Sequence, residues 1–295
     1  MWQPTALLLG PGGIKGFSLL GFLLYMEKHD LLERVTAYAG VSVGAIISLL
    51  LVCGYNIYEV INEASKTNLF QDISTIRLED VLQNIGVISH HKIREILEKL
   101  VVAKFGKLLN MYELYMATGI ELYVTSFELD PDNPHPVHFS YKSHPNISPV
   151  EAVLLSMNIP LVFQRLFRDG KPYVDGAIGD PYPIHLLDDG EKDVLGLYIA
   201  STFDKTTDFL SYLKQIFYGG MVQLRNISIK NASNRCQHIC LRSTNSDSLS
   251  TCDGEKINMV TQGYDIAAKF FEKQSGRLIV SPDNIESIGE ENTLE

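Results

Sequence analysis

The sequence has no excess of positive charge: 25 Lys and Arg stand against 35 Asp and Glu, a formal net charge of −10. So acidic a chain is a poor partner for nucleic acid and has no general attraction to an anionic bilayer, which leaves any membrane contact to be local and apolar. Long hydrophobic runs are missing too. FSLLGFLLYM and AIISLLLVCG fall well short of the roughly 20 apolar residues that a spanning helix needs. The start MWQPTALLLG has no basic stretch ahead of its apolar residues, so neither a signal peptide nor a transmembrane segment is apparent. Cysteines number four, and without an export signal an even count does not establish disulfides. Nucleotide-binding glycine loops are absent as well. Lys15 falls where either the P-loop or the dinucleotide pattern needs its last glycine, and Gly16 comes only after it. With no internal repeat and 45% hydrophobic residues, the chain reads as a globular protein with one large core.

Within that core the pentapeptide GVSVG, Gly40 to Gly44, sets Ser42 in a glycine-framed turn between the strand-like RVTAYA and the apolar helix-like AIISLLLVCG. Glycines admit a corner too tight for side chains, so a serine there stands out as a nucleophile. A second strand-glycine-helix junction, LLLGPGGIKGF, precedes it. Gly12 and Gly13 lie before a helix start, where unpaired N–H groups and the helix dipole favour an anion, whereas Pro11 has no N–H to give. That pair suits an oxyanion hole. Further on, KPYVDGAIGDPYPI places Asp175 after a strand and before the small residues Gly176 and Ala177. Alone, Asp-Gly is a hairpin turn; beside a nucleophile and an oxyanion loop it supplies the missing base.

GPGGIKG, GVSVG and DGA, in that order, resemble the patatin-like phospholipase family, and the likeness runs from about Ala6 to Ile184. The family usually opens its oxyanion loop on Asp-Gly-Gly-Gly or Gly-Gly-Gly-Gly, where this chain has Gly10-Pro11. The resemblance implies an α/β patatin-like three-layer fold, a central, largely parallel sheet with helices on both faces. It implies hydrolysis of phospholipid or neutral-lipid acyl esters by a Ser42–Asp175 dyad, with Gly12 and Gly13 as the oxyanion hole and no metal or cofactor. Gly40, Gly44, Lys15, Gly16, Gly176 and Ala177 support these motifs. Lys15 could touch a phosphate headgroup or hold a core carboxylate, the second reading being favoured.

Two other readings remain open. An ordinary α/β-hydrolase would add a histidine after the acid, and His185 and His238 are available; too few strands precede Ser42 for that fold, and His185 reads as a surface or supporting residue. A lipid-binding protein of the same fold without turnover is the third; it would be expected to have lost Ser42 or Asp175.

We expect one catalytic domain over residues 1–281, with its motif-bearing core at 6–184 and completion at 185–281, and a polar, frayed tail at 282–295. The expected location is cytoplasmic or peripheral to membranes; oligomeric state is not legible. Cys236, His238 and Cys240 share one face of a strand, and with Cys252 they could be imagined as a zinc set, but the spacing is irregular. His135, His138 and His144 likewise lack ligand spacing, and their segment reads as loop and strand edge. Ser89 reads as the N-cap of a following helix, and Asn110 with Glu113 as a capping box. DFLSYLKQIFYGGMVQLR, Asp208 to Arg225, reads as an apolar-striped helix that breaks at Gly219-Gly220. It either packs on the sheet or forms a hinged segment for a membrane interface.

Overall fold

The computed structural model describes residues 2–66, 86, 88–200, 209–242 and 252–274. The side chains at 209–211, 213 and 214, and the tail at 282–295, lie outside what is described. In chain order the elements are β1 (Ala6–Leu9), α1 (Gly16–Lys28), β2 (Ala37–Val41), α2 (Val43–Val52), α3 (Ile57–Lys66), α4 (His91–Phe105), α5 (Met111–Thr118), β3 (Glu121–Glu128), β4 (His135–Phe139), α6 (Pro149–Ser156), β5 (Leu166–Arg168), β6 (Lys171–Asp175), β7 (Val194–Ala200), α7 (Phe209–Asn231), β8 (Cys236–Arg242) and α8 (Asp253–Gln274). Short 3₁₀ turns occupy Gly13–Lys15, Gly176–Ile178 and Ile184–Leu186.

The strands join in one mixed sheet in the order β5-β6-β3-β2-β1-β7-β8, with β4 also on β3. β1 lies at its centre, parallel to both β2 and β7. Its ALLL run is buried throughout, as a strand covered on both faces requires. Leu7 and Leu9 pack into the core beneath α1 and α2, while Ala6 and Leu8 face Tyr182, Ile184 and Leu187, with Ile229 of α7 packed beside them. α1 and α2 are buried on nearly every side, which fits apolar runs with little amphipathic contrast.

Where the parallel half meets the antiparallel strands, the register decides the site. β2 pairs with the first part of β3, Val41 opposite Thr125; β6 pairs with the rest of it, Asp175 opposite Ser126. Since β4 spans Val124 to Glu128 on the other edge, β2 and β6 share one edge of β3 and run head to head. The last residue of each strand thus faces one of two consecutive residues of β3.

The Asn110–Glu113 capping box is present at the start of α5. α4 begins at His91 with His90, not the expected Ser89, as its N-cap; Ser89, one residue further out, still accepts from the His91 amide at 3.2 Å. The expected break at Gly219-Gly220 does not occur: α7 runs unbroken to Asn231. Two glycines cost about 2 kcal/mol relative to alanine, a penalty that a helix of 23 residues absorbs.

Candidate active site

Ser42 sits between β2 and α2 with φ 57° and ψ −123°, a strained backbone for a residue with a side chain. The turn is closed by contact: a Cβ on Gly44 would lie 2.0 Å from the Leu9 carbonyl oxygen, and one on Gly40 would lie 2.5 Å from Ala45 Cα. Ser42 is held from below. Its amide donates to Ser156 Oγ at 2.9 Å, and Ser156 Oγ donates to the Thr125 carbonyl at 2.5 Å.

Ser42 Oγ donates to Asp175 Oδ2 at 2.6 Å, and the Ala177 amide donates to Asp175 Oδ1 at 2.9 Å. The Asp175 amide in turn donates to the Asn158 carbonyl at 2.8 Å, and Asn158 Nδ2 donates to the Tyr173 carbonyl at 2.7 Å. Burial pushes the Asp175 carboxyl up to about 6, only partly offset by the hydrogen bonds from Ser42 and Ala177. Gly176 is wedged under the sheet, where a Cβ would meet the Thr125 carbonyl oxygen at 2.1 Å.

Gly12 and Gly13 lie in the loop after β1, and Gly13 opens the 3₁₀ turn that ends in the buried Lys15. A Cβ on Gly16 would come within 2.6 Å of the Val43 side chain, so this glycine lets the loop of Gly12 and Gly13 close on the turn at Ser42. Among the described residues the amides of Gly12, Gly13 and Val43 donate to no protein acceptor. Sequence reasoning overlooked Val43, although the residue after such a serine points its N–H to the same side. It overlooked Ser156 and Asn158 as well; their signal was two polar letters inside the apolar LLSMNIP.

Gly13, Gly16, Ser42 and Val43 line a cavity of about 150 Å³. Its walls are almost entirely apolar and include Phe17, Leu20, Ile46, Leu97, Ile159 and Phe163. Neither candidate triad histidine joins Ser42. His238 Nδ1 lies 3.0 Å from Tyr182 Oη, and His185 Nδ1 lies 3.9 Å from Asp180 Oδ2. Nor do Cys236, His238 and Cys240 gather as a ligand set.

The turn at Ser42 sits on a mostly parallel, helix-covered sheet of the α/β class. The patatin-like phospholipase model matches residues 7–188, and the chain belongs to that family. It is 26% identical over 186 residues to the probable lipid hydrolase 463L of Invertebrate iridescent virus 6, covering 61% of this chain and 62% of that protein. To the uncharacterized protein R571 of Acanthamoeba polyphaga mimivirus it is 25% identical over 203 residues, 68% of this chain and 66% of the other. Each match thus spans less than two thirds of the viral relative. Among solved structures, VipD from Legionella pneumophila superposes with a TM-score of 0.56 at 16% identity, over 92% of this chain and 67% of its own. The type III effector ExoU of Pseudomonas aeruginosa gives 0.56 at 15% identity, over 92% and 53%. At such identities these structures speak for the fold.

Proposed function

We propose that the protein hydrolyses acyl esters of lipids in the manner of a phospholipase A, with Ser42 as nucleophile and Asp175 as general base. The observation that carries this reading is the 2.6 Å contact between Ser42 Oγ and the buried Asp175 carboxylate, with Ser42 lining an apolar cavity. Ser42 Oγ attacks the ester carbonyl carbon and passes its proton to Asp175 Oδ2. The carbonyl oxygen becomes an oxyanion facing the amides of Gly12 and Gly13, with that of Val43 beside them. Collapse expels the alcohol, which takes the proton from Asp175, and leaves the acyl group on Ser42. Water, losing its proton to Asp175, then releases the fatty acid and restores the serine. An ordinary aspartate at about 3.9 is a weak base; burial that raises Asp175 to about 6 strengthens it and still leaves it ionised at neutral pH. The cavity takes the acyl chain.

The substrate is reached from the aqueous side, and the protein sits peripheral to the lipid surface. Among the described residues no helix is long and apolar enough to cross a membrane. α7, which packs against the turn Gly176–Ile178, exposes Tyr212, Ile216 and Phe217, and these supply a local apolar contact. Product analysis on mixed phospholipid vesicles tests the reading. Free fatty acid and lysolipid are expected with the parent protein and neither with Ser42→Ala. Labelling of the parent, but not of Ser42→Ala, by a fluorophosphonate probe separates turnover from mere lipid binding.

A further inference from the structure

We propose that His138, Asp180 and His185 form a binding site for a divalent transition-metal ion of the zinc class, tying β4 to the segment that follows Asp175. Among the described residues this is the one group of three such side chains whose ligand atoms all lie within 4.8 Å of one another. The three come from separate places: His138 from β4, Asp180 from just beyond the turn Gly176–Ile178, and His185 from the turn Ile184–Leu186.

The distances suit a cation better than hydrogen bonds. His138 Nε2 lies 3.6 Å and His185 Nδ1 3.9 Å from the same oxygen, Asp180 Oδ2, beyond hydrogen-bond reach. Ligand atoms around a tetrahedral zinc, bonded at about 2.0 to 2.2 Å, stand roughly 3.3 Å apart. The two imidazole nitrogens lie within 4.8 Å of each other, so closure by up to about 1.5 Å would complete three corners. The fourth opens to water, because His185 is largely exposed.

The surroundings support the donor set. His138 Nδ1 lies 3.0 Å from the hydroxyl of Thr125, a buried residue of β3, so the ring is oriented through its other nitrogen. Metal-ligating histidines are commonly fixed in this way. Two imidazoles and one carboxylate favour zinc, cobalt, nickel or copper over calcium or magnesium.

The site reaches the aspartate turn through the backbone. The Asp180 and Gly179 amides both donate to the Gly176 carbonyl, at 2.9 and 3.2 Å, and the neighbouring Ala177 amide holds Asp175. An ion at Asp180 therefore braces the turn that presents Asp175, whether or not Asp175 acts as a base.

The test is zinc titration of the full chain after stripping with a chelator, followed by calorimetry and by thermal unfolding. One zinc per chain is expected, with a rise in Tm, and cobalt should give the intense visible absorption of a tetrahedral centre. His185→Gln and Asp180→Asn should each weaken zinc at least tenfold and abolish the Tm rise, while a Cys252→Ser, His238→Gln protein should bind as the parent does. Zinc bound equally well by His185→Gln, no zinc-dependent Tm shift in the parent, or a preference for calcium would each overturn the proposal. If Asp180→Asn fails to fold, His185→Gln decides alone, since it alters an exposed side chain.

Discussion

The parallel strands β1, β2 and β7 are nearly continuous apolar runs packed under α1, α2 and the turns around Tyr182. β4, β5 and β6, antiparallel to their neighbours, keep accessible residues along much of their length, and β6 is buried only over Tyr173–Asp175. Ser42 belongs to the first region and Asp175 to the second. In the first, position is enforced chiefly by contact: Gly44 against Leu9 leaves no room for a methyl group. In the second it is enforced by hydrogen bonds from Ser126, Ser156 and Asn158 to backbone carbonyls. A packed boundary fixes where a backbone turns, whereas a buried carboxylate needs directional partners to be held in one rotamer.

Removing the reactive atom from the packed side should have the largest effect. Ser42→Ala is expected to lower turnover by roughly 10⁴-fold or more while circular dichroism stays that of the parent. Retained hydrolysis would end the serine mechanism.

On the hydrogen-bonded side, Asp175→Asn should cost about 10² to 10⁴-fold in kcat, the usual range for a general base. Its effect on stability runs the other way. The folded carboxyl titrates near 6 against a usual 3.8, so between those values the folded chain holds a proton that the unfolded chain has released. Stability thus falls as pH rises through that window, by on the order of 3 kcal/mol. The asparagine protein should escape this loss and unfold at higher denaturant than the parent at pH 7, but not at pH 3.5. Activity of the parent should drop as pH falls through about 6. If His238→Ala lost activity and Asp175→Asn kept it, the triad would replace the dyad.

Ser156 bridges the two regions, accepting from Ser42 and donating to Thr125. Ser156→Ala orphans one buried donor and one buried acceptor, and about 1 to 3 kcal/mol should go for each. Urea unfolding measures the loss, and kcat should fall by about tenfold as the elbow loosens. An unchanged midpoint would show that Ser42 is set by packing alone.

The smallest effect is expected at the periphery. Phe217 is half exposed on α7, and Phe217→Ser should cut hydrolysis of vesicles several-fold while leaving a soluble short-chain ester untouched. Equal loss on both substrates would return Phe217 to a packing role.

How much of this could be read beforehand follows the same division. GVSVG, GPGG and DGA declare themselves because tight turns demand particular residues at fixed offsets, and the apolar runs of β1, α1 and α2 leave only a buried layer as their place. Ser156 and Asn158 stayed hidden inside an apolar helix and turn, since a polar letter there has meaning only once its partners are known. The meeting of Val41 and Asp175 along β3 depends on strand order, which no local pattern carries. His138, Asp180 and His185 lie too far apart in the chain to form a motif. Gly219-Gly220 misled because glycine permits a break without requiring one.

The head-to-head arrangement of β2 and β6 also has a kinetic side. The Ser42–Asp175 bond joins residues 133 positions apart, and each is located only through a third strand, β3. A refolding chain that has assembled its parallel half would already show helix and strand by spectroscopy and still lack the dyad. Non-local pairings of this kind are slow to close. With the proposed dyad as the catalytic pair, regain of hydrolysis should not run ahead of the docking of β6, which would make it a stricter gauge of native topology than any measure of secondary structure.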